Sequence, residues 1–435
     1  MHSATHHAID AVWRIESAKI VAGTLRLVRD VGLAEELAQD ALVAALEHWP
    51  ATGVPDNPGA WLMATAKNKA LDRLRRNKAL DVRLEQIGQD LEAQQALVVP
   101  DFVDALDAAR ADEIGDDLLR LIFTACHPVL SAEARVALTL RLLGGLTTHE
   151  IARAFLVPEP TIAQRIVRAK RTLSEARMPF ELPRGAAVGE RLASVLEVVY
   201  LIFNEGYTAT AGEDWIRPEL TDEALRLGRM LAELAPGESE VHGLIALMEL
   251  QASRGAARVD ASGRPVLLPE QNRARWDRVL IRRGLVALER AESLGALVGH
   301  PLGPYALQAA IAGCHARAHT AAQTDWVRIV ALYDALAQVA PSPVVELNRA
   351  VAVSMAFGPA AGLEIIDTLR REKSLQGYQW LPSVRGDLLA RMGRADEARA
   401  EFECAAALAR NVRERELLLE RAEGLAPTGR RPSPS

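Results

Sequence analysis

The chain is poor in aromatic residues, at 4% Phe, Trp and Tyr, and carries only three cysteines in 435 positions. Cys126, Cys314 and Cys404 stand far apart, and none has a partner at metal-ligand or redox spacing. An odd count argues against a disulfide framework and fits a reducing cytoplasm, where the protein is expected to reside. No run of 18 or more apolar residues occurs, so no transmembrane helix is expected. The opening MHSATHHAIDAVWR has neither an apolar core nor a cleavage site and does not read as a signal peptide. His2, His6 and His7 offer metal-binding groups there, but they read better as a floppy polar terminus. Strand-type alternation is missing. So is any phosphate-binding glycine loop, nucleophile–base set or metal cluster, so no catalytic residue, metal or cofactor is expected.

What the chain has is helix. Hydrophobic residues make up 49% and charged residues 25%, with alanine, leucine and arginine abundant. Apolar residues recur at i, i+3, i+4 and i+7 from about Ile9 to Glu423, which predicts an all-α protein. Breaks are predicted at Pro50–Pro58, Pro100, Pro179–Gly185, Pro236–Gly237, Arg254–Pro269, Gly299–Pro304, Pro341–Pro343 and Pro427–Ser435. The length suggests about three domains. The net charge of −6 excludes a uniformly basic nucleic-acid binder, yet the charge is unevenly spread. Residues 1–80 carry +1, residues 81–117 carry −9, residues 118–180 carry +5 and residues 181–435 carry −3. An acidic connector thus separates two near-neutral or basic modules.

Residues Gly144–Ala176 carry the most specific pattern. Gly144-Gly145 ends one helix, and Thr147 with Glu150 forms a T-x-x-E capping box that starts the next. Ile151, Ala152 and Phe155 give that short helix its apolar side. Leu156-Val157-Pro158-Glu159 reads as a tight turn, and Pro160 suits the first position of a second helix. Its Ile162, Ile166, Ala169 and Leu173 are spaced to be buried. Its other face presents Ala163, Gln164, Val167, Arg168 and Arg171. Gln and Arg can address base edges in a major groove, and small apolar groups can meet thymine methyls. Arg165 and Lys170 lie at the sides, where phosphates would be. The bland alternative is one more helical hairpin with a solvated basic face.

The N-terminal module holds an amphipathic helix, Val31–Trp49, with Leu33, Leu37, Ala41 and Ala45 on one face. Glu35, Glu36, Gln39, Asp40 and Val43 sit on or beside the other. After a proline-flanked loop, Asn57–Arg76 sets Lys67, Lys69, Arg73, Arg75, Arg76 and Lys78 against a single acid, Asp72. Such a helix suits a phosphate backbone. Asn68 lies among these charges, and Trp61 reads as a core anchor rather than a base-stacking platform.

These motifs together resemble regions 2 and 4 of an extracytoplasmic-function sigma factor of bacterial RNA polymerase. A-E-E-L-A-Q-D (Ala34–Asp40) is similar to the family's core-binding helix, and N-P-G-A-W-L…N-x-x-x-D-x-x-R-R (Asn57–Arg76) to its promoter-melting segment. L-T-T-H-E-I-A…P-x-x-T-I-x-x-R-I-x-R-A-K-R (Leu146–Arg171) is similar to its region 4 helix-turn-helix. The resemblance spans roughly residues 8–178. It implies that Glu35, Glu36, Gln39 and Asp40 grip the β′ clamp helices of core polymerase, with region 4 near the β flap. It implies that Asn68 meets a flipped base of the −10 element, with Lys67, Asp72, Arg75 and Arg76 beside it and the loop Trp49–Pro58 forming the pocket. Thr161, Ala163, Gln164, Arg165, Val167, Arg168 and Arg171 then face the −35 element. The acidic stretch becomes a linker threading the polymerase channels. Glu36 where aspartate is commoner, Leu42 where an aromatic is frequent, and Pro160 before Thr161 are departures from the pattern.

The chain continues beyond these modules. Gly358 and Gly393 sit in similar stretches 35 residues apart, close to the tetratricopeptide period, and Asp325–Ala340 looks like an earlier helix of such an array. The cluster Asn204, Glu205, Tyr207, Glu213 and Asp214 reads as caps rather than a carboxylate site, and Cys126-His127-Pro128 as a buried thiol and a helix stop. The resemblance extends to sigma factors with a fused C-terminal tetratricopeptide-like domain. It implies region 2 at 8–80, an acidic linker at 81–112, region 4 at 113–178, a helical extension at 185–300, repeats at 301–426 and a disordered tail at 427–435. The extension would modulate activity through an unknown protein partner or within the chain, with promoter DNA and polymerase as the main partners and no membrane. The competing reading is a helix-turn-helix regulator with a tetratricopeptide sensor. That protein would need neither the basic Asn57–Lys78 helix nor the acidic connector.

Overall fold

A computed structural model describes residues 2–86, 107–155, 157–176, 180–183, 187–209, 215–261, 263–297, 299 and 301–425. Among them there is no strand, only an isolated bridge between Val259 and Pro265. None of their helices is long and apolar enough to cross a membrane. The chain divides into two compact units, Met1–Val199 and Tyr200–Ser435.

The first unit holds α1 (His2–Val28), α2 (Val31–Thr52), α3 (Pro58–Gln86), α4 (Asp107–Ala125), α5 (Ala132–Leu142), α6 (Thr148–Phe155), α7 (Glu159–Glu175) and the start of α8 (Ala187–Tyr207). Asp30 caps α2 by accepting from Leu33 N at 2.8 Å. Small residues line the contact side of α2: Ala34, Ala38, Ala41 and Ala45 are all fully buried, which lets α1 and α3 approach closely. Ile20 and Leu25 of α1 and Leu62, Ala66 and Ala70 of α3 fill the same core. In the second half Leu121, Leu138, Leu140 and Ile151 are sealed from water.

Two local expectations change here. The polar N-terminus read as floppy is helical from His2. The break placed at Pro50 falls three residues later, at Gly53 with φ +86. A proline in a last turn forfeits one backbone bond, and Trp49, 1% exposed beneath it, anchors that turn. The loop expected at Trp49–Pro58 is therefore shorter, because its first residues are helix.

The second unit continues with α9 (Pro218–Leu234), α10 (Ser239–Ala252), α11 (Arg278–Leu297), α12 (Pro304–Arg317), α13 (Trp326–Val339), α14 (Pro343–Phe357), α15 (Pro359–Leu369), α16 (Trp380–Arg391), α17 (Ala395–Leu408) and α18 (Val412–Glu423). Each helix packs on its sequence neighbours, and short 3-10 turns fill the α10–α11 connection. Gly358 and Gly393, the pair that suggested a repeat, occupy the α14–α15 and α16–α17 turns at φ +100 and +76. Only glycine takes that conformation without strain. Within each hairpin one glycine permits the crossing: Gly362 sits against Ala350 and Ser354, and Gly386 against Ala398 and Phe402. This succession of hairpins is compatible with a tetratricopeptide-like array. The tail at 426–435 and the middle of the acidic connector, 87–106, lie outside the described residues. The flanks of that connector are helical, since α3 runs to Gln86 and α4 begins at Asp107.

Candidate nucleic-acid and polymerase interface

The capping box at the start of α6 forms as the sequence predicts. Glu150 Oε2 accepts from Thr147 N at 2.8 Å and Thr147 Oγ1 at 2.9 Å, and Thr147 Oγ1 accepts from Glu150 N at 3.1 Å. Gly145, at φ +67, makes the preceding turn. The next helix starts one residue earlier than expected. Glu159 is its first residue, Pro158 its N-cap, and Pro160 its second residue. Either early position spares the proline, because backbone N–H groups in a first turn have no intrahelical partner.

Helix α7 divides cleanly. Ile162, Ile166, Ala169 and Leu173 are buried against α5 and α6, and Ala163, Gln164, Val167, Arg168 and Arg171 are exposed. Val167 is 64% exposed. Arg171 is held by Glu175 at 2.6 Å. Thr161 and Arg165 are half-buried. Lys170 departs from its expected place among phosphate contacts: it is half-buried and paired with Glu35 of α2.

On α3 the buried side is Leu62, Ala66 and Ala70, and the outer side carries Asn68 and the run Leu71–Arg76, all exposed. Lys67 and Lys69 are half-buried, and Lys69 Nζ lies 3.8 Å from Asp40 of α2. Arg75 lies 3.6 Å from Asp72. Trp61 meets the ring of Trp49 edge-on at 5.4 Å and that of His48 at 6.5 Å, so it anchors this end of the helix pair, as its core reading requires.

The four acidic and amide residues of α2 do not share one environment. Glu36 and Asp40 are exposed and Gln39 is half-buried, whereas Glu35 is 7% exposed rather than on the solvent side. Its Oε1 accepts from Arg141 Nε of α5 at 2.6 Å and from Gln39 Nε2 at 3.0 Å, and its Oε2 faces Lys170. Arg141 also donates to the carbonyl of Leu146 at 3.1 Å. Sequence reasoning missed Arg141. The available signal was a lone arginine in the apolar run Val136–Leu143, where a buried cation requires an acidic partner.

Around Cys126 the chain is closed. Its Sγ lies 3.3 Å from Thr139 Oγ1, and burial pushes the thiol up to about 11, as a packing cysteine requires. Of the cluster in the second unit, Glu205 is no cap. It is buried in α8 and paired with Arg217, while Gly206 passes against the backbone of Thr221. Arg258 lies over Tyr207 at 3.5 Å and Trp215 at 4.3 Å and donates to Thr208 Oγ1 at 2.8 Å, neutralising the end of α8. Glu213 and Asp214 lie outside the described residues.

Known families match these parts. The description "Sigma-70 region 2" matches residues 17–80, "Sigma-70, region 4" matches residues 120–173, and a family of unknown function matches residues 191–292. The ECF RNA polymerase sigma factor SigK of Mycobacterium bovis is 31% identical over 162 residues, 36% of this chain and 78% of that protein. The probable ECF RNA polymerase sigma factor SigI of Mycobacterium tuberculosis is 28% identical over 176 residues, 40% of this chain and 57% of its own length. An uncharacterized protein of Rhizobium meliloti is 44% identical over 391 residues, 90% of this chain and 89% of that protein, so the likeness there includes the extension. This chain belongs to the extracytoplasmic-function RNA polymerase sigma factors, with a helical C-terminal extension fused to regions 2 and 4.

Proposed function

We propose that the protein is an alternative initiation factor that binds core RNA polymerase in the cytoplasm, recognises −35 and −10 elements and opens the start site, without bond-making chemistry of its own. The observation that carries this is α7: an apolar seam fixes it to α5 and α6 and leaves Ala163, Gln164, Val167 and Arg168 exposed together on a capped helix-turn-helix. These side chains, with Thr161, Arg165 and Arg171 around them, suit the −35 major groove. Asn68, with Lys67, Asp72, Arg75 and Arg76, suits the −10 element, where extruding a base opens the duplex without ATP. Glu36, Gln39 and Asp40 suit the β′ clamp helices, and region 4 the β flap. On this reading residues 8–80 are region 2, 81–112 the acidic linker, 113–178 region 4, and the extension from 185 to 426 tunes activity through a protein partner or within the chain.

The test is transcription in vitro from genomic fragments with core polymerase and the full chain. Promoter-specific transcripts, mapped by sequencing, are expected. Binding of DNA sites without any transcript would favour a conventional helix-turn-helix regulator with a helical sensor.

A further inference from the structure

We propose that the α10–α11 connection and the end of α12 form a binding site for the phosphate group of a small molecule, held by Arg254, Arg273, Trp276 and His315. The inference goes beyond the initiation-factor reading, because it concerns the extension by itself and is tested without polymerase or DNA.

The four residues converge from three segments of the second unit. Asp277 N donates to the carbonyl of Ser253 at 2.8 Å, which ties the turn carrying Trp276 to the end of α10, where Arg254 stands. Trp276 packs with Leu250, Ala257 and Ala316, and the guanidinium of Arg273 lies 4.8 Å from its ring. Arg273 donates through Nη1 to the carbonyls of His315 and Ala318, and through Nη2 to Thr324 Oγ1 at 3.1 Å. Arg273 and His315 are each 8% exposed and Trp276 3%. Arg254 is half-buried and gives the site its open side.

Charge and donors are left over here. Arg254 Nε, Arg273 Nε, Trp276 Nε1 and His315 Nδ1 are all buried and have no hydrogen-bond partner among the described residues. A buried arginine is ordinarily paired with an acid. The charge that bears on Arg273 is Arg254, and those that bear on His315 are Arg254 and Arg273, all of one sign. Asp277 and Asp325 flank these residues in sequence, but they cap α11 and α13. Arg258 turns instead to Tyr207 and Trp215, with Glu414 near it. Closing the last carbonyls of α12 accounts for the Nη atoms of Arg273. It leaves its Nε and the whole of Arg254 unexplained, and an unmatched charge in a poor medium is costly.

The chemistry of the leftover groups selects the ligand. A phosphate monoester carries about two negative charges at pH 7 and three strong acceptor oxygens. Two guanidinium groups match that charge, and charge-assisted bonds to them are the strong ones. Donors that arrive from three segments suit tetrahedral oxygens better than the coplanar pair of a carboxylate. The His315 imidazole, pushed down to about 3, is neutral at pH 7, so it donates through Nδ1 without adding a third charge.

The test is calorimetric titration of the full chain with inorganic phosphate and with glycerol 3-phosphate, in a chloride buffer of fixed ionic strength. Saturable binding of at least one, with half-saturation below about 1 mM, is expected. The tighter of the two identifies the source as the free ion or an organic ester. In a chain with isotope-labelled tryptophan, the indole N–H signal that Trp276→Phe removes should shift along the same saturation curve. That signal separates this site from phosphate held by the exposed arginines of α3 and α7. Arg254→Met should weaken binding about tenfold. Circular dichroism checks its fold, and Arg254→Gln carries the test if Arg254→Met does not fold. Weaker half-saturation for both probes, an unmoved Trp276 signal, unchanged affinity in the folded variant, or acetate bound as tightly as phosphate overturns the site.

Discussion

Ser194 of α8 donates its hydroxyl to the carbonyl of Cys126 at 2.6 Å, across 68 residues of sequence. Around that bond Arg191 donates to the carbonyl of Phe123 at 2.7 Å, and Arg135 of α5 reaches Glu197 at 2.9 Å as well as Ser194. The first turns of α8 thus satisfy the end of α4 and pack with region 4, although the family of unknown function begins its match at residue 191. The boundary drawn in the sequence between 178 and 185 precedes these contacts, and the first compact unit closes only at Val199.

A fragment ending at Val199 is therefore expected to melt cooperatively, and one ending at Pro183 to melt lower. Removing α8 strands the half-buried Arg135 and two carbonyls, at about 1–3 kcal/mol for each buried group left unpaired. In a domain of this size each kcal/mol moves the midpoint by about 2–4 °C. Equal midpoints by calorimetry would remove α8 from the sigma body.

Arg168 is exposed on α7 beside Gln164 and Val167. Arg168→Ala is expected to weaken −35 binding by about 1–3 kcal/mol and to relax preference at one base pair. Binding measured on a panel of single-base variants checks this. A uniform loss across the panel would place Arg168 on a phosphate.

The three thiols should separate by reactivity. Cys126 is sealed and its thiol pushed up to about 11 by burial, Cys314 is buried and shifted the same way, and Cys404 is exposed. Titration with a chromogenic disulfide at pH 8 should show one fast thiol in the native chain and three after denaturation. Loss of the fast phase in Cys404→Ser assigns it.

His315 should make the second unit acid-sensitive. Burial, with Arg254 and Arg273 nearby, pushes its imidazole down from 6.5 to about 3, and its Nδ1 has no hydrogen-bond partner among the described residues. Above pH 6.5 the ring is neutral both folded and unfolded. Between about pH 6 and 4 only the unfolded chain takes the proton, so unfolding becomes easier by about 1.4 kcal/mol per pH unit from this residue. The raised carboxyls Glu240 and Glu414 oppose this trend, but they do so equally in a His315→Asn variant. The difference between variant and wild type in urea unfolding at pH 4 to 7 should therefore carry that slope, and a flat difference would put a solvated imidazole at position 315.

The helix-turn-helix was legible except for the first residue of its second helix and the partner of Lys170, because a capping box, a turn and an apolar spacing of four, three and four act over neighbouring residues. The repeat glycines Gly358 and Gly393 were legible for the same reason, since a left-handed turn is a local demand. Trp61, expected as a core anchor, is half-buried and meets the rings of Trp49 and His48 edge-on. Glu35 was not legible: on a helical wheel it is one more acid beside Glu36, and only the approach of Arg141 and Lys170 from distant segments buries it. Periodicity states which face of a helix avoids water. It does not state which partner covers a charged position, because that depends on contacts far along the chain. The sequence by itself determined the helices, the helix-turn-helix and the order of its modules. The tertiary structure alone decided that α2 lies on the recognition helix and that α8 completes region 4. Ion pairs and hydrogen bonds between remote segments leave no period in the sequence.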